Sequence, residues 1–339
     1  MAEKRLGTQT VAFAHPPVIA AAAAVTGPKE GEGPLSEYTD IILKDDMCGE
    51  KSFEKAEVQI FLRAARTVME KANVTHKDVD YLMGGDLLNQ LVTANFAARD
   101  LNIPFFGLYG ACSTITESLS LAAMLIDGGY AERILCVAAS HFSTAERQYR
   151  FPLEQGTQRP PSSQWTVTGA GAAVLARSGE GPRITMATTG KVVDYGIKDA
   201  NNMGAAMAPA AADTFRNHFI DTGRNPQSYD MIISGDLATY GRELTIDLMR
   251  EAGYHIEDRY IDCGCEIFDR EKQDVHAGGS GCGCAAVVLS GYLMSLLRAG
   301  KAKRLLLAAT GALMSPTTSM QGETIPGIAH AISIESGEG

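Results

Sequence analysis

Apolar residues fall along this chain in two rhythms, one with the period of a helix and one of short unbroken runs, and the two alternate from end to end. In "EKAEVQIFLRAARTVMEKANV", residues 54–74, Val58, Leu62, Ala65 and Met69 share one face, which predicts an amphipathic helix laid against a sheet. "YLMGGDL" and "MIISGDL" are apolar runs cut off by glycine. "RILCVAAS" and "RLLLAATG" are apolar on both faces, as strands covered by helices on each side are. After Cys112, Ile115, Leu119, Ala122 and Ile126 form a second helical stripe, with Thr114 and Glu117 in capping-box spacing. A further helix is predicted in "APAAADTFRNHFIDTG", opened by Pro209 near its first turn and closed by Gly223.

The same unit occurs twice. "VDYLMGGDLLNQ" at 79–90 returns as "YDMIISGDLATY" at 229–240, which sets Asp86 opposite Asp236. The stretch from Gly110, "GACSTITESLSLAAMLIDGGYAERILCVAAS", returns as "GCGCAAVVLSGYLMSLLRAGKAKRLLLAATG" from Gly281, aligning Cys112 with Gly283 between Cys282 and Cys284. Each copy reads helix, strand, loop, helix, strand, which implies βα crossovers and a mixed, mostly parallel sheet in each half. The expected architecture is α/β, with two duplicated halves, 1–178 and 179–339, in a five-layer α/β/α/β/α stack.

Composition narrows the function classes. The 339 residues are 45% hydrophobic and 21% charged, the balance of a globular chain with a large core. A net charge of −10 argues against nucleic acid as a partner. Seven cysteines, an odd number in apolar or glycine-rich strings, argue against a secreted disulfide framework. His15-Pro16-Pro17 interrupts the one early apolar run, and no run reaches the roughly 20 residues of a spanning helix, so neither a signal peptide nor a transmembrane segment is expected.

A Gly-Ala-Cys turn opening the buried helix of the first copy, a glycine-rich turn at the matching place in the second, and "TVTGAGAAVLARS" at 166–178 together resemble the thiolase fold and its ketoacyl synthase III branch. Acyl transfer on such a frame needs a thiol whose pKa is lowered by the helix N-terminus, and imidazole or amide partners from the second half. Cys112 stands in the thiol position, and the alternative reading is an active condensing enzyme with Cys112 as nucleophile. The partner positions read Ser234-Gly235-Asp236 and "GGSGCGC", with no imidazole, although His141, His276 and His330 flank strand ends. The expectation is therefore a degenerate site with no catalytic residues and no cofactor.

"EGPLSEYTD", "GGDLLNQLVTANF", "YGACST", "TAERQYRFP", "MGAAMAPAAADT", "HAGGSGCGC" and "ATGALMSPTT" together resemble the stage V sporulation protein AD family. The resemblance implies binding of dipicolinic acid (pyridine-2,6-dicarboxylate), with calcium a possible companion. It also implies work beside other stage V sporulation membrane proteins in uptake into the developing spore, on the cytoplasmic side of the spore inner membrane, and a homodimer of the kind usual for the fold, paired through "RILCVAAS" or its neighbour.

A flat dicarboxylate wants guanidinium or hydroxyl donors and an apolar slot. The candidates are Arg147, Arg150 and His141 in "SHFSTAERQYRFP", then Cys112, Ser113, Ser280 and Cys282 at the two turns, and Asp86 and Asn89 in "GDLLNQ". Asp86 and Asp236 also suit a capping role, and as oxygen ligands they would suit calcium. Cys263-x-Cys265 and Cys282-x-Cys284 have a single residue between cysteines, unlike zinc signatures, so no metal site is expected.

Overall fold

The computed structural model describes residues 3–149 and 153–337. The first half forms a five-stranded mixed sheet from β1 (Val18–Thr26), β2 (Tyr81–Gly85), β3 (Phe105–Gly107), β4 (Arg133–Ser140) and β5 (Gly169–Ala176), in the order β3-β2-β4-β5-β1. The second half repeats it with β6 (Arg183–Thr188), β7 (Met231–Ser234), β8 (Tyr260–Asp262), β9 (Arg304–Ala312) and β10 (Gly327–Glu335), in the order β8-β7-β9-β10-β6. In both sheets the first two pairings of that order are parallel and the last two antiparallel, so only the fourth strand runs against the others. The sheets meet at one pair, Arg183 against Val18. A short strand, Thr10–Ala12, pairs with β6 on one side and with Arg5–Leu6 on the other.

Period-two alternation sorts side chains between layers. On β4, Leu135 and Val137 face outward onto α1 (Phe53–Lys71) and α2 (Val92–Leu101), while Cys136 and Ala138 face the centre of the molecule. The centre is filled by α3 (Thr114–Asp127) and α7 (Cys282–Val288), the latter continuing through one π turn, Leu289–Leu293, into Met294–Arg298. Helices α5 (Met203–Thr222) and α6 (Ala238–Glu251) cover the far sheet, with Phe215 and Met249 packed on Ile232 and Leu306. The order is helix, sheet, helix, sheet, helix. A short helix, α4 (Phe142–Tyr149), follows β4 at the edge of the central layer.

Three local expectations change. Pro209 lies inside α5, which starts six residues earlier under an Asn202 cap whose side chain accepts from the Ala205 amide. Thr114 and Glu117 form no capping box: the 3-10 turn Ala111–Ser113 runs directly into α3, and Thr114 Oγ1 donates backward to the Ala111 carbonyl at 2.7 Å. The strand "RILCVAAS" is β4, flanked by β2 and β5, so its backbone has no edge to offer a second copy. The outer strand of that sheet is β3.

Close packing of α7 onto β5 depends on Gly171, where an added Cβ would lie 2.0 Å from the Ala286 carbonyl oxygen. That atom belongs to a backbone with no room to retreat, so Gly171→Ala is expected to cost about 3 kcal/mol or more. Urea denaturation of the two proteins reads this directly; equal midpoints would mean that α7 moves freely on the sheet.

Candidate functional site

Cys112 lies where the chain turns from β3 into α3. Ala111 adopts φ 50°, a left-handed conformation that costs a non-glycine residue about 1–2 kcal/mol. The turn presses onto β9 at Gly311, where a Cβ would be 2.5 Å from the Gly110 carbonyl oxygen. This geometry drives the Cys112 side chain inward, to 6% exposure.

The thiol meets Asp236, from the end of β7. Asp236 is fully buried and accepts hydrogen bonds from Thr310 Oγ1 at 2.6 Å, Ser280 Oγ at 2.8 Å and the Gly281 amide at 3.0 Å, with the Cys112 thiol as a further donor. Burial first, and then the charge of Asp236, push the Cys112 pKa well above its ordinary value, with the Gly281 amide opposing. The lowered pKa expected from the helix terminus is thus overturned: a dry environment and a facing carboxylate outweigh the amide contribution. Burial also raises the pKa of Asp236 itself, against the pull of its donors.

The second turn mirrors the first. Cys282 is buried and donates from Sγ to the Ala111 carbonyl at 2.9 Å, while the Gly281 amide, bonded to Asp236, lies near enough to Cys112 to oppose the rise in its pKa. Each cysteine touches the residue preceding the other, which sets Cys112 opposite Cys282 and not the aligned Gly283. Asp262, at the end of β8, takes the capping role in this half. It accepts from the Leu237, Ala238 and Gly264 amides and from Ser234 Oγ, at 2.6–3.0 Å, and burial lifts its pKa to about 7. In the first half Asp86 does this work, accepting from the Leu88 and Ala94 amides, both at 2.7 Å, with its pKa raised by burial to about 6.

The remaining candidates are spread around this centre. Ser113 turns back on its own helix, donating to the Gly110 carbonyl at 2.7 Å. His141 is buried and neutral: Nε2 pairs with the Asp46 carbonyl at 2.8 Å, Nδ1 accepts the Ser143 amide, and burial depresses its pKa. His330 accepts the Gly190 amide, and His276 lies beside Asp274. Among the described residues no imidazole bonds to Cys112, Asp236 or Ser280. Arg150 lies outside the described residues.

Two clefts flank the Asp236 cluster. On one side a two-stranded ladder, Trp165–Thr166 with Gly279–Ser280, forms a wall. Behind it lies a cleft of about 420 Å³ bounded by Phe53, Phe142, Ser143, Arg147 and Arg159. On the other side a cleft of about 240 Å³ reaches Ala111 and is bounded by Leu87, Tyr109, Met314, Ser315 and Thr318. The Tyr109 hydroxyl donates to Asn89 Oδ1 at 3.3 Å, which puts Asn89 at the rim of this second cleft. Arg147 and Cys112 therefore do not share a cavity. Sequence reasoning missed the wall at Trp165 and, about the clefts, Phe53 and Arg159, which stand in no motif; Tyr109 opens "YGACST", where the cysteine alone draws notice.

Residues 7–335 match the model of a family described as stage V sporulation protein AD. Stage V sporulation protein AD of Bacillus subtilis, strain 168, is 46% identical over 336 residues, covering 99% of each chain. Among solved structures, OleA of Xanthomonas campestris aligns over 95% of this chain and 99% of its own, with a TM-score of 0.62 at 16% identity. The 3-oxoacyl-(acyl-carrier-protein) synthase III of Aquifex aeolicus VF5 aligns over 94% and 99%, with a TM-score of 0.57 at 15% identity. At such identities the likeness carries the thiolase-like fold.

The Asp236 contact makes a prediction about reactivity. Asp236→Asn keeps an acceptor oxygen but removes the charge, so the pH profile of Cys112 alkylation by iodoacetamide is expected to shift to lower pH. Peptide mapping across pH 7–10 measures it; an unmoved profile would leave burial as the sole cause.

Proposed function

The chain belongs to the stage V sporulation protein AD family, and from that premise we propose that it is a non-catalytic binder of dipicolinic acid that takes part in its uptake into the developing spore. The observation that carries the non-catalytic reading is the Asp236 carboxylate facing the Cys112 thiol, in a cluster without an imidazole to take its proton. A thiol kept protonated at neutral pH is a poor nucleophile.

The ligand seat in this reading is the cleft that reaches the Cys112 turn. It offers apolar walls at Leu87 and Met314 and hydroxyls at Tyr109, Ser315 and Thr318, and among the described residues no cationic side chain lines it. Burial, and after it the charge of Asp86, raise the Tyr109 pKa, so a negative field reaches this wall. A bare dianion is repelled there, whereas the neutral one-to-one calcium chelate is not, and calcium in the chelate still accepts oxygen ligands. Membrane partners and a place on the inner spore membrane are part of the same proposal. They suit a chain in which no helix of the described residues is long and apolar enough to cross a bilayer.

A second copy completes the proposal. The outer strand β3 pairs on one side only, and Phe106 on it is 49% exposed, next to the exposed Tyr109. An open apolar edge of this kind is a template for strand pairing. Phe106→Glu is expected to sediment as a monomer where the parent sediments as a dimer; a monomeric parent would remove the dimer.

Calorimetry tests the ligand. The calcium chelate of dipicolinate is expected to bind, and Thr318→Phe, which fills the cleft, to weaken it at least tenfold, about 1.4 kcal/mol. No heat with or without calcium would sink the reading. Binding that Thr318→Phe leaves intact would move the seat elsewhere.

A further inference from the structure

The cleft behind the Trp165 wall has a different chemistry, and we propose that it is a second seat, for a planar aromatic carboxylate in its metal-free, charged form. For the identity of a natural ligand this rests on the reading above; the recognition itself rests on the cleft. Its floor is a fixed aromatic surface. The Phe142 ring stacks on Trp165 with centroids 3.8 Å apart and planes 14° from parallel, and Phe53 stands against the buried His141 ring at 5.2 Å. A flat ring laid on Phe142 would extend this stack, a contact worth more than its buried area alone.

Positive charge borders the same surface. Arg147 lies over Phe53 at 5.3 Å and faces Glu54 and Glu154 at 3.7 and 3.9 Å, both longer than a hydrogen bond. Those carboxylates are exposed, and exposed pairs contribute about 0–1 kcal/mol, so an entering carboxylate can replace them at little cost. Arg159 lies over Trp165 at 4.7 Å, held by the Asp274 carbonyl at 2.9 Å and ion-paired with the Asp274 carboxylate at 3.2 Å, and Lys29 approaches the same ring at 4.1 Å, so Arg147 is the guanidinium left to meet a ligand. Ser143 and Thr157 add hydroxyls at the border. A guanidinium beside an aromatic face suits a ring that carries a carboxylate, through a charge-assisted bond at its edge. The cleft at Ala111, by contrast, has hydroxyls without cations, so the two seats differ in the ligand charge they accept.

Trp165 is the chain's only tryptophan and stacks on Phe142, which lines the cleft, so its fluorescence reports on a ring laid there. The probe is isophthalate, benzene-1,3-dicarboxylate, titrated into the full chain in the presence of EDTA. A saturable change in emission is expected, with affinity at least tenfold weaker in Arg147→Ala and unchanged in Thr318→Phe. Circular dichroism confirms that the variants fold. A flat titration overturns the proposal, and so does a response that Arg147→Ala leaves intact or that Thr318→Phe removes. Isophthalate holds no metal in a tridentate grip, so its outcome is separate from that of calcium dipicolinate. Chelate binding with a flat isophthalate titration removes only this seat; the reverse removes only the dipicolinate reading.

Discussion

A carboxylate sealed in the middle of a protein must be surrounded by donors, and Asp236 gathers its donors from segments far apart in the chain. Thr310 comes from β9, Ser280 and Gly281 from the turn before α7, and Cys112 from the turn before α3. The two cysteine turns are thereby pinned to the end of β7 and to each other. A buried charge so placed is costly unless fully bonded, and it fixes which surfaces can meet. The layers on either side can close because the central helices meet the sheets through small residues, as Gly171 meets Ala286.

That constraint explains which parts of the molecule could be read from the chain. Helical stripes and apolar runs carried the layers, because the faces they bury are faces of single elements: Val58 and Leu62 lie on α1 where the pattern puts them. The duplicated "GD" carried the positions of Asp86 and Asp236, but not their divergence. Asp86 holds amides of its own loop, while Asp262, in no repeated motif, does so in the second half. Pro209 was misread as a helix start because a buried helix packed on both β9 and β10 tolerates one missing amide that an isolated helix would not.

The site was less legible for a geometric reason. His141, Ser143 and Arg147 follow one another closely in sequence, yet His141 turns under the helix to the Asp46 carbonyl while Arg147 faces outward. What separates them all from Cys112 is a two-residue ladder at Trp165 and Gly279, too short to leave any periodic signature. The resemblance puts the arginine's loop over the thiol's pocket; the Trp165–Gly279 pairing stands between that loop and the thiol.

Beside a helix-terminal thiol, a carboxylate couples to it with the opposite sign from an imidazole. A neutral imidazole can take the thiol proton, and the imidazolium that results attracts the thiolate, so each charge favours the other. A carboxylate gains nothing by taking that proton at neutral pH, and while ionised it repels the thiolate, so the same hydrogen bond now favours the neutral thiol. Burial acts in the same direction on both groups, raising the pKa of Cys112 and of Asp236. The backbone that would aim a nucleophile, including the strained Ala111, is kept, because the turn is held by packing on Gly311 and by Cys282 and not by the thiol's chemistry. On the proposed non-catalytic reading, a thiolase-like frame holds its central turn by packing while one facing side chain sets the sign of the chemistry there.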